Sequence, residues 1–348
     1  MDYKTIKSIA ELPPGQAVLY GAGSYGQYVY GKISKERPDL SIKAFVDDVK
    51  SGSFSGLPVM GSQSIPEGVA VLITSSYWKD ILLKNKFKNP VFVADILSGP
   101  ASGDQISIDY KGNKIHFFTP NLFLEEVGRN IFEIEPGMLE WIESFEAGSV
   151  FYDVGASNGC YGILAGFGRE LTVVCFEPDV QNFAILDHNY YLNRHTLKKF
   201  YGFNIALSDK SEIAKFHCQN FFPGSHGKVL ESSGREDLSA SEVEFERAVI
   251  SKTLDEMVFN YKLPMPDYLK IDVDGAESLI LKGAEKVLES GAIRSCMIES
   301  EIGEIDGIKI LLQQKGFYLK EEYAINEVTL SRVSGVKNYL FLKRSTRI

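Results

Sequence analysis

The chain has 348 residues, 44% of them apolar and 24% charged, with a formal net charge of −9. The length suits two domains and the composition an ordinary globular protein, while the negative balance, with no basic and aromatic-interleaved stretch to offset it, speaks against a nucleic-acid partner. No apolar run approaches the roughly 20 residues of a membrane span, residues 1–15 lack the apolar core of a secretory signal, and Cys160, Cys175, Cys218 and Cys296 form no CxxC pair, so a reducing, cytoplasmic setting is expected.

The first predicted element is a short apolar strand at 17–20, which runs into Gly21-Ala-Gly23-Ser-Tyr-Gly26 and a helix from Gln27. A glycine turn between a buried strand and a helix lets backbone amides face an anionic or polar ligand. Asp47 and Asp48 follow the next strand, 42–46, and strands near 69–74 and 91–94 bring the count to four or five, half of a doubly wound sheet. The bland alternative is a scaffold whose glycines only permit tight packing. Tyr28 and Lys32 form a YxxxK inside the first helix, the wrong place for a dehydrogenase base. Residues 97–103 read as a linker.

Residues 106–110 and 114–118 alternate around Lys-Gly-Asn, a hairpin signal. Two amphipathic stretches, 121–130 and 136–145, then lead into a second strand–glycine–helix unit. Strands are predicted at 150–154, 172–177, 199–207, 268–273 and 295–299, and a final pair at 317–322 and 338–343 can close the sheet antiparallel. The expected layout is a domain at 1–98, a connecting region at 99–148 and a domain at 149–348.

The second turn is Asp153-Val-Gly155-Ala-Ser157-Asn158-Gly159, and Glu177 stands at the next strand tip, at the spacing of roughly 20 residues that a crossover imposes. The turn permits close backbone approach and the acid can accept from both hydroxyls of a ribose. That pair alone is equally compatible with NAD. Two further segments, NIALSD at 204–209 and KIDVDGAE at 270–277, end the third and fourth strands. Asp272, at a strand tip, is the first candidate for a general base toward a hydroxyl; the alternative is that it only hydrogen-bonds a cofactor or a turn. Asp274 and Glu277 are expected as a capping box for a helix over 279–288. Otherwise Asp272, Asp274 and Glu299 could gather a divalent ion, which nothing in the spacing requires, so the metal is unknown. Glu299 and His226, the latter in the loop FFPGSHG at 221–227, complete the catalytic candidates; the plain reading of His226 is a solvated loop histidine. The charged run 239–247 is expected to be a solvated face.

Taken in order, DVGASNGCYG at 153–162, FEP at 176–178, NIALSD, TLDEM at 253–257 and KIDVDGAE resemble the FkbM family of methyltransferases over about residues 118–343. Ser157 stands where that family has asparagine, and Asp274 where it has glutamate. The resemblance implies an α/β class I methyltransferase fold, a seven-stranded, mostly parallel sheet with a C-terminal antiparallel hairpin, preceded here by a small Rossmann-like α/β domain. It implies S-adenosylmethionine as cofactor. Asp153, Gly155, Ser157, Asn158 and Gly159 would hold its methionine end, Glu177 its ribose, and Asn204 and Ala206 its adenine, with Asp272 near the methyl group. FVDD at 45–48 with GLPVMG at 56–61 resembles the small domain that precedes hexapeptide-repeat sugar acetyltransferases and binds a nucleotide-activated sugar, which would involve Gly21, Gly23, Gly26, Asp47 and Asp48.

The resulting expectation is O-methylation of a sugar or nucleotide-linked sugar in glycan or secondary-metabolite biosynthesis, with a homo-oligomer left open. The alternatives are an NAD(P)-dependent oxidoreductase or epimerase acting through the first glycine turn, and a non-catalytic nucleotide-sugar-binding protein. An RNA-base enzyme is disfavoured, because the fourth strand ends in IDVDG and not in an Asn-Pro-Pro-Tyr that stacks a flipped base.

Overall fold

The computed structural model describes residues 3–75, 77–99, 101–225, 227–231, 243–326 and 335–344. They fall into two compact units. The first runs to Gly103 and includes Asn121–Phe123; the second holds Asp104–Pro120, Leu124–Asn326 and the last strand.

In the first unit, strands β1 (Tyr3–Ile6), β2 (Gly15–Tyr20), β3 (Leu40–Val46), β4 (Gly52–Phe54), β5 (Leu57–Met60), β6 (Ala70–Ile73) and β7 (Val91–Ala94) lie in the order β1-β7-β6-β2-β3-β5-β4. Only β4 runs antiparallel to its neighbour. Alternate residues of β2 enter opposite cores: Ala17 and Leu19 join Val29 and Ile33, whereas Val18 and Tyr20 join Val71 and Val93. A strand buried on both faces reads as a continuous apolar run, which is why this sheet was visible. The sheet has seven strands where four or five were expected, because β1 and β4 are short, exposed edge segments without that signature. Helix α1 (Ser24–Glu36) starts at the Gly23 cap, three residues before the expected Gln27; α2 is Trp78–Lys84.

The second unit opens with the hairpin β8 (Gln105–Tyr110) and β9 (Asn113–Phe118). Lys111 and Gly112 both have positive φ, 50° and 77°, the two-residue turn whose twist suits a hairpin. Helices α3 (Leu122–Arg129), α4 (Ile131–Ile134) and α5 (Pro136–Glu143) follow. The main sheet contains β10 (Val150–Val154), β11 (Thr172–Phe176) and β12 (Lys199–Phe203), with α6 (Cys160–Gly166) and α7 (Val180–Asn193) between them. Prediction and structure part after β12. The expected strand 199–207 breaks at Asn204, and β13 (Ala206–Leu207) enters a second sheet with β14 (Glu212–Cys218), β15 (Lys228–Leu230) and β16 (Phe245–Lys252), ordered β13-β16-β14-β15. Within the expected solvated run, residues 245–247 begin β16, and 239–242 lie outside the described residues.

After α8 (Leu254–Phe259), the main sheet is completed by β17 (Tyr268–Ile271), β18 (Ser295–Glu301), β19 (Phe317–Ala324) and β20 (Val336–Lys343). Its order is β12-β11-β10-β17-β18-β20-β19, with β20 antiparallel to both neighbours. This is the class I methyltransferase sheet. Phe151 and Val173 face one core, Tyr152, Val154, Val174 and Phe176 the other. Each fully buried side chain of that size stabilises the fold by about 1.5–3 kcal/mol. The helix expected over 279–288 is two, α9 (Glu277–Lys282) and α10 (Glu285–Glu289). At the break, a Cβ on Gly283 would stand 2.0 Å from the Ser208 carbonyl oxygen, so close approach of two backbones sets the position. Helix α11 is Ile305–Gln314. Among the described residues, no helix is long and apolar enough to cross a membrane.

Candidate active site

The strand order reverses between β10 and β17, and in open α/β sheets a ligand crevice forms at the strand tips where this happens. Gly155 makes that junction close. It has φ +76°, and a Cβ there would stand 1.8 Å from the Asp272 carbonyl oxygen. Ser157 also sits in the left-handed region, with φ 48°, which turns its amide onto Glu177 Oε2 at 2.8 Å. Glu177 Oε1 accepts the Asp179 amide at 2.8 Å. Gly159, φ +77°, caps α6 where a Cβ would meet Leu186 at 2.8 Å. Asn158 is buried; its carbonyl accepts from Asn189 Nδ2 at 2.8 Å. Asn204 Nδ2 donates to the carbonyls of Glu177 and Pro178, at 2.8 and 3.1 Å, and so pins the tip of β11.

These tips floor a cleft of about 790 Å³ including its open mouth, lined by Gly155, Ser157, Glu177, Ala206 and Asp272. Ile205, Leu207, Ile280, and Phe216, Val229 and Leu230 from the inserted sheet supply apolar walls. Five of the expected cofactor residues thus converge on one crevice; Asp153, Asn158, Gly159 and Asn204 shape it from beneath or beside. Burial pushes the Glu177 carboxyl up to about 7, against the two amides that favour its charged form.

Sequence reasoning missed Lys270. Its side chain is buried, and Nζ stands 3.0 Å from both Asp153 Oδ1 and Asp272 Oδ2 and 3.4 Å from the Gly155 carbonyl oxygen. Burial alone would lower its pKa; the facing carboxylates of Asp153 and Asp272 raise it above the usual lysine value. The signal was present: a lysine in an apolar strand, two residues before Asp272 and so on the same face, is almost never buried unless paired.

The expected capping box is absent. Ala276 caps α9 with no side-chain hydrogen bond. Asp274 Oδ2 instead accepts the amides of Gly227 and Lys228, at 3.0 and 3.3 Å, and Glu277 Oε1 accepts the Gly275 amide at 3.3 Å. On the other side of the same segment, the Gly224 amide donates to Asn182 Oδ1 at 2.7 Å. Gly224 is thus held by α7, and Gly227 and Lys228 by Asp274 on the cleft wall. His226 lies outside the described residues. Glu299 lines a second pocket, of about 310 Å³, with Glu277, Glu301 and Glu304; it shares Val273 and Asp274 with the cleft. Among the described residues no three His, Cys, Asp or Glu side chains are grouped to hold a metal ion.

In the first unit, a Cβ on Gly21 (φ +125°) would meet the Thr74 carbonyl oxygen at 2.6 Å, and one on Gly26 the Gly21 carbonyl oxygen at 2.0 Å; Gly23 has open space. Asp47 accepts three amides, from Val49 and Lys50 at 2.9 Å and Ala22 at 3.3 Å. Asp48 accepts the Tyr20 hydroxyl and, at 2.9 Å, the Ser62 amide. Both acids hold their own loop.

Sheet order and cleft together define an α/β domain of the class I methyltransferase type. Within it, residues 153–319 match the methyltransferase FkbM domain. The chain is 25% identical over 177 residues to the hexuronic acid methyltransferase AglP of Haloferax volcanii; the match covers 50% of this chain and 66% of that protein, just short of two thirds of its length. Similar solved structures include P. horikoshii TYW2 in complex with MeSAdo, at 11% identity and TM-score 0.38 over 69% of this chain and 71% of that one. Another is the precorrin-6y C5,15-methyltransferase of Geobacter metallireducens, at 10% identity and TM-score 0.34 over 60% and 87%.

Proposed function

We propose that the chain is an S-adenosylmethionine-dependent methyltransferase that methylates a hydroxyl group of a sugar or nucleotide-linked sugar. The observation that carries this reading is Glu177: a buried carboxylate at the tip of β11, fixed by the amides of Ser157 and Asp179, on the wall of a cleft that opens where Gly155 lets the backbones after β10 and β17 come close. A vicinal diol suits such an acid, because it offers donors to a group that has only acceptors. The apolar walls from Ile205, Leu207 and Ile280 suit a flat base, and the glycine turn an amino-acid tail.

When bound, S-adenosylmethionine supplies a methyl group activated by its sulfonium. The chain's own task is to hold the acceptor in line, keep water away and take up the hydroxyl proton. Asp272, on the cleft wall, receives that proton in this reading, and Lys270 keeps its carboxylate aimed. Support for a sugar comes from the relative's name and from the neighbouring pocket, where Glu299, Glu301 and Glu304 provide acceptors for several hydroxyls. Support for a nucleotide-linked form comes from the sequence resemblance of the first unit.

The test is to incubate the protein with methyl-labelled S-adenosylmethionine and a panel of hexoses, uronic acids and nucleotide sugars, and to locate the label by mass spectrometry. Label on a sugar hydroxyl oxygen is expected; label on nitrogen, carbon or a base would overturn the acceptor reading.

A further inference from the structure

Lys228 begins β15 and lines the cleft, yet its side chain is only 4% exposed. Its Nζ stands 3.1 Å from Asp179 Oδ1 but makes no hydrogen bond to any described residue. Asp179 is already well served. Its Oδ1 caps α7 through the amides of Gln181 and Asn182, at 3.0 and 2.9 Å, and its Oδ2 takes Arg247 at 2.8 Å. Arg247 alone balances its charge, so Lys228 is a second cation on one buried acid. An ammonium has three N–H donors, and burying them with one carboxylate oxygen in range and no aligned hydrogen bond is costly. Such an arrangement makes sense where a ligand completes it.

The side chain's course says which part of a ligand. The Lys228 amide is held by Asp274, just beyond β17, whereas Nζ reaches Asp179, whose own amide binds Glu177. Lys228 thus spans from the β17 side of the cleft to the β11 side and ends beside Glu177. An anionic group there would face Glu177 and Asp179 as well as the ammonium. A neutral diol would not: its hydrogens go to the carboxylate and its oxygen lone pairs to the ammonium. We infer that Lys228, delivered by the inserted sheet, is a cofactor-binding residue that donates to the ribose hydroxyl oxygens gripped by Glu177.

This rests on the proposed occupancy of the cleft by S-adenosylmethionine. The test is calorimetric titration with S-adenosylhomocysteine and its 2′,3′-dideoxy analogue, using the full chain and Lys228→Met. The wild type should prefer the diol, and Lys228→Met should weaken S-adenosylhomocysteine by about tenfold or more while leaving the dideoxy affinity unchanged. Should Lys228→Met not fold, Lys228→Arg, which keeps the charge beside Asp179 but moves the donors, carries the same comparison and should narrow the preference. Equal weakening of both ligands, or of neither, overturns the inference and leaves the cleft assignment standing. No binding of either ligand to wild type overturns both.

Discussion

Lys270 on β17 stands 3.0 Å from Asp272, just past that strand's end, and the same distance from Asp153 on β10. One buried ammonium therefore ties the glycine turn to the carboxylate that faces the cleft. Lys270→Met leaves Asp153, fully buried, without its cation. Removing one partner of a buried ion pair costs about 3–5 kcal/mol, so chemical denaturation should show a loss of that order. A change below about 1 kcal/mol would mean that the cluster does not hold the strand tips together.

Gly155→Ala should be far worse than Gly148→Ala, although both residues have positive φ. A Cβ at 155 would overlap the Asp272 carbonyl, while one at 148 meets nothing within 4 Å. The second substitution carries only the left-handed backbone penalty of about 1–2 kcal/mol; the first adds forced separation of β10 from β17, for about 3 kcal/mol or more in total. Thermal unfolding of the two variants side by side measures the difference.

Ser157→Asn should stabilise the protein by about 0.5–1 kcal/mol. Position 157 holds φ 48°, a conformation that asparagine tolerates better than serine, and the contact to Glu177 is made by the backbone amide and survives the change. An unchanged or lower melting temperature would contradict this.

Glu277 sets a pH dependence. Burial, with Asp274 and Asp272 nearby, pushes its carboxyl up to about 8 from an ordinary 4.5. The folded protein then binds more protons than the unfolded chain between those values, so this contribution is complete below about pH 4.5 and is lost as pH rises toward 8. Glu177 acts in the same direction up to about 7. Glu277→Gln removes the larger part: wild-type stability should fall between about pH 5 and pH 8, and the variant's should fall less. Parallel stability curves for the two proteins would contradict the assignment.

What the sequence showed was what period and spacing encode. Val150–Val154 and Thr172–Phe176 are strands with buried residues on both faces and read as mainly apolar runs, interrupted in the first by Asp153, and the glycine turn and Glu177 sit at a separation that one crossover dictates. The inserted sheet was illegible because its inner strands, β14 and β16, break the apolar-in, polar-out pattern: Ile213 and Ile250 point to solvent, and Lys215, His217, Glu246 and Arg247 interrupt the apolar residues. Asp274 was misread for a different reason. Its spacing to Glu277 satisfies a local rule, but its partners, Gly227 and Lys228, lie 47 and 46 residues away in the chain. Lys228 shares that fate, since its ion pair with Asp179 is distant in sequence and leaves no periodic trace; Lys270 is legible only through its position two residues before Asp272 in an apolar strand.

The central claim is that Glu177 holds the ribose of S-adenosylmethionine. Titration of the full chain with this cofactor should show binding at one site, weakened by about 1–3 kcal/mol in Glu177→Ala and strengthened in wild type as pH rises through about 7, where the carboxyl ionises. Heat of binding that is absent in wild type, or identical in the variant, would contradict the account at its root.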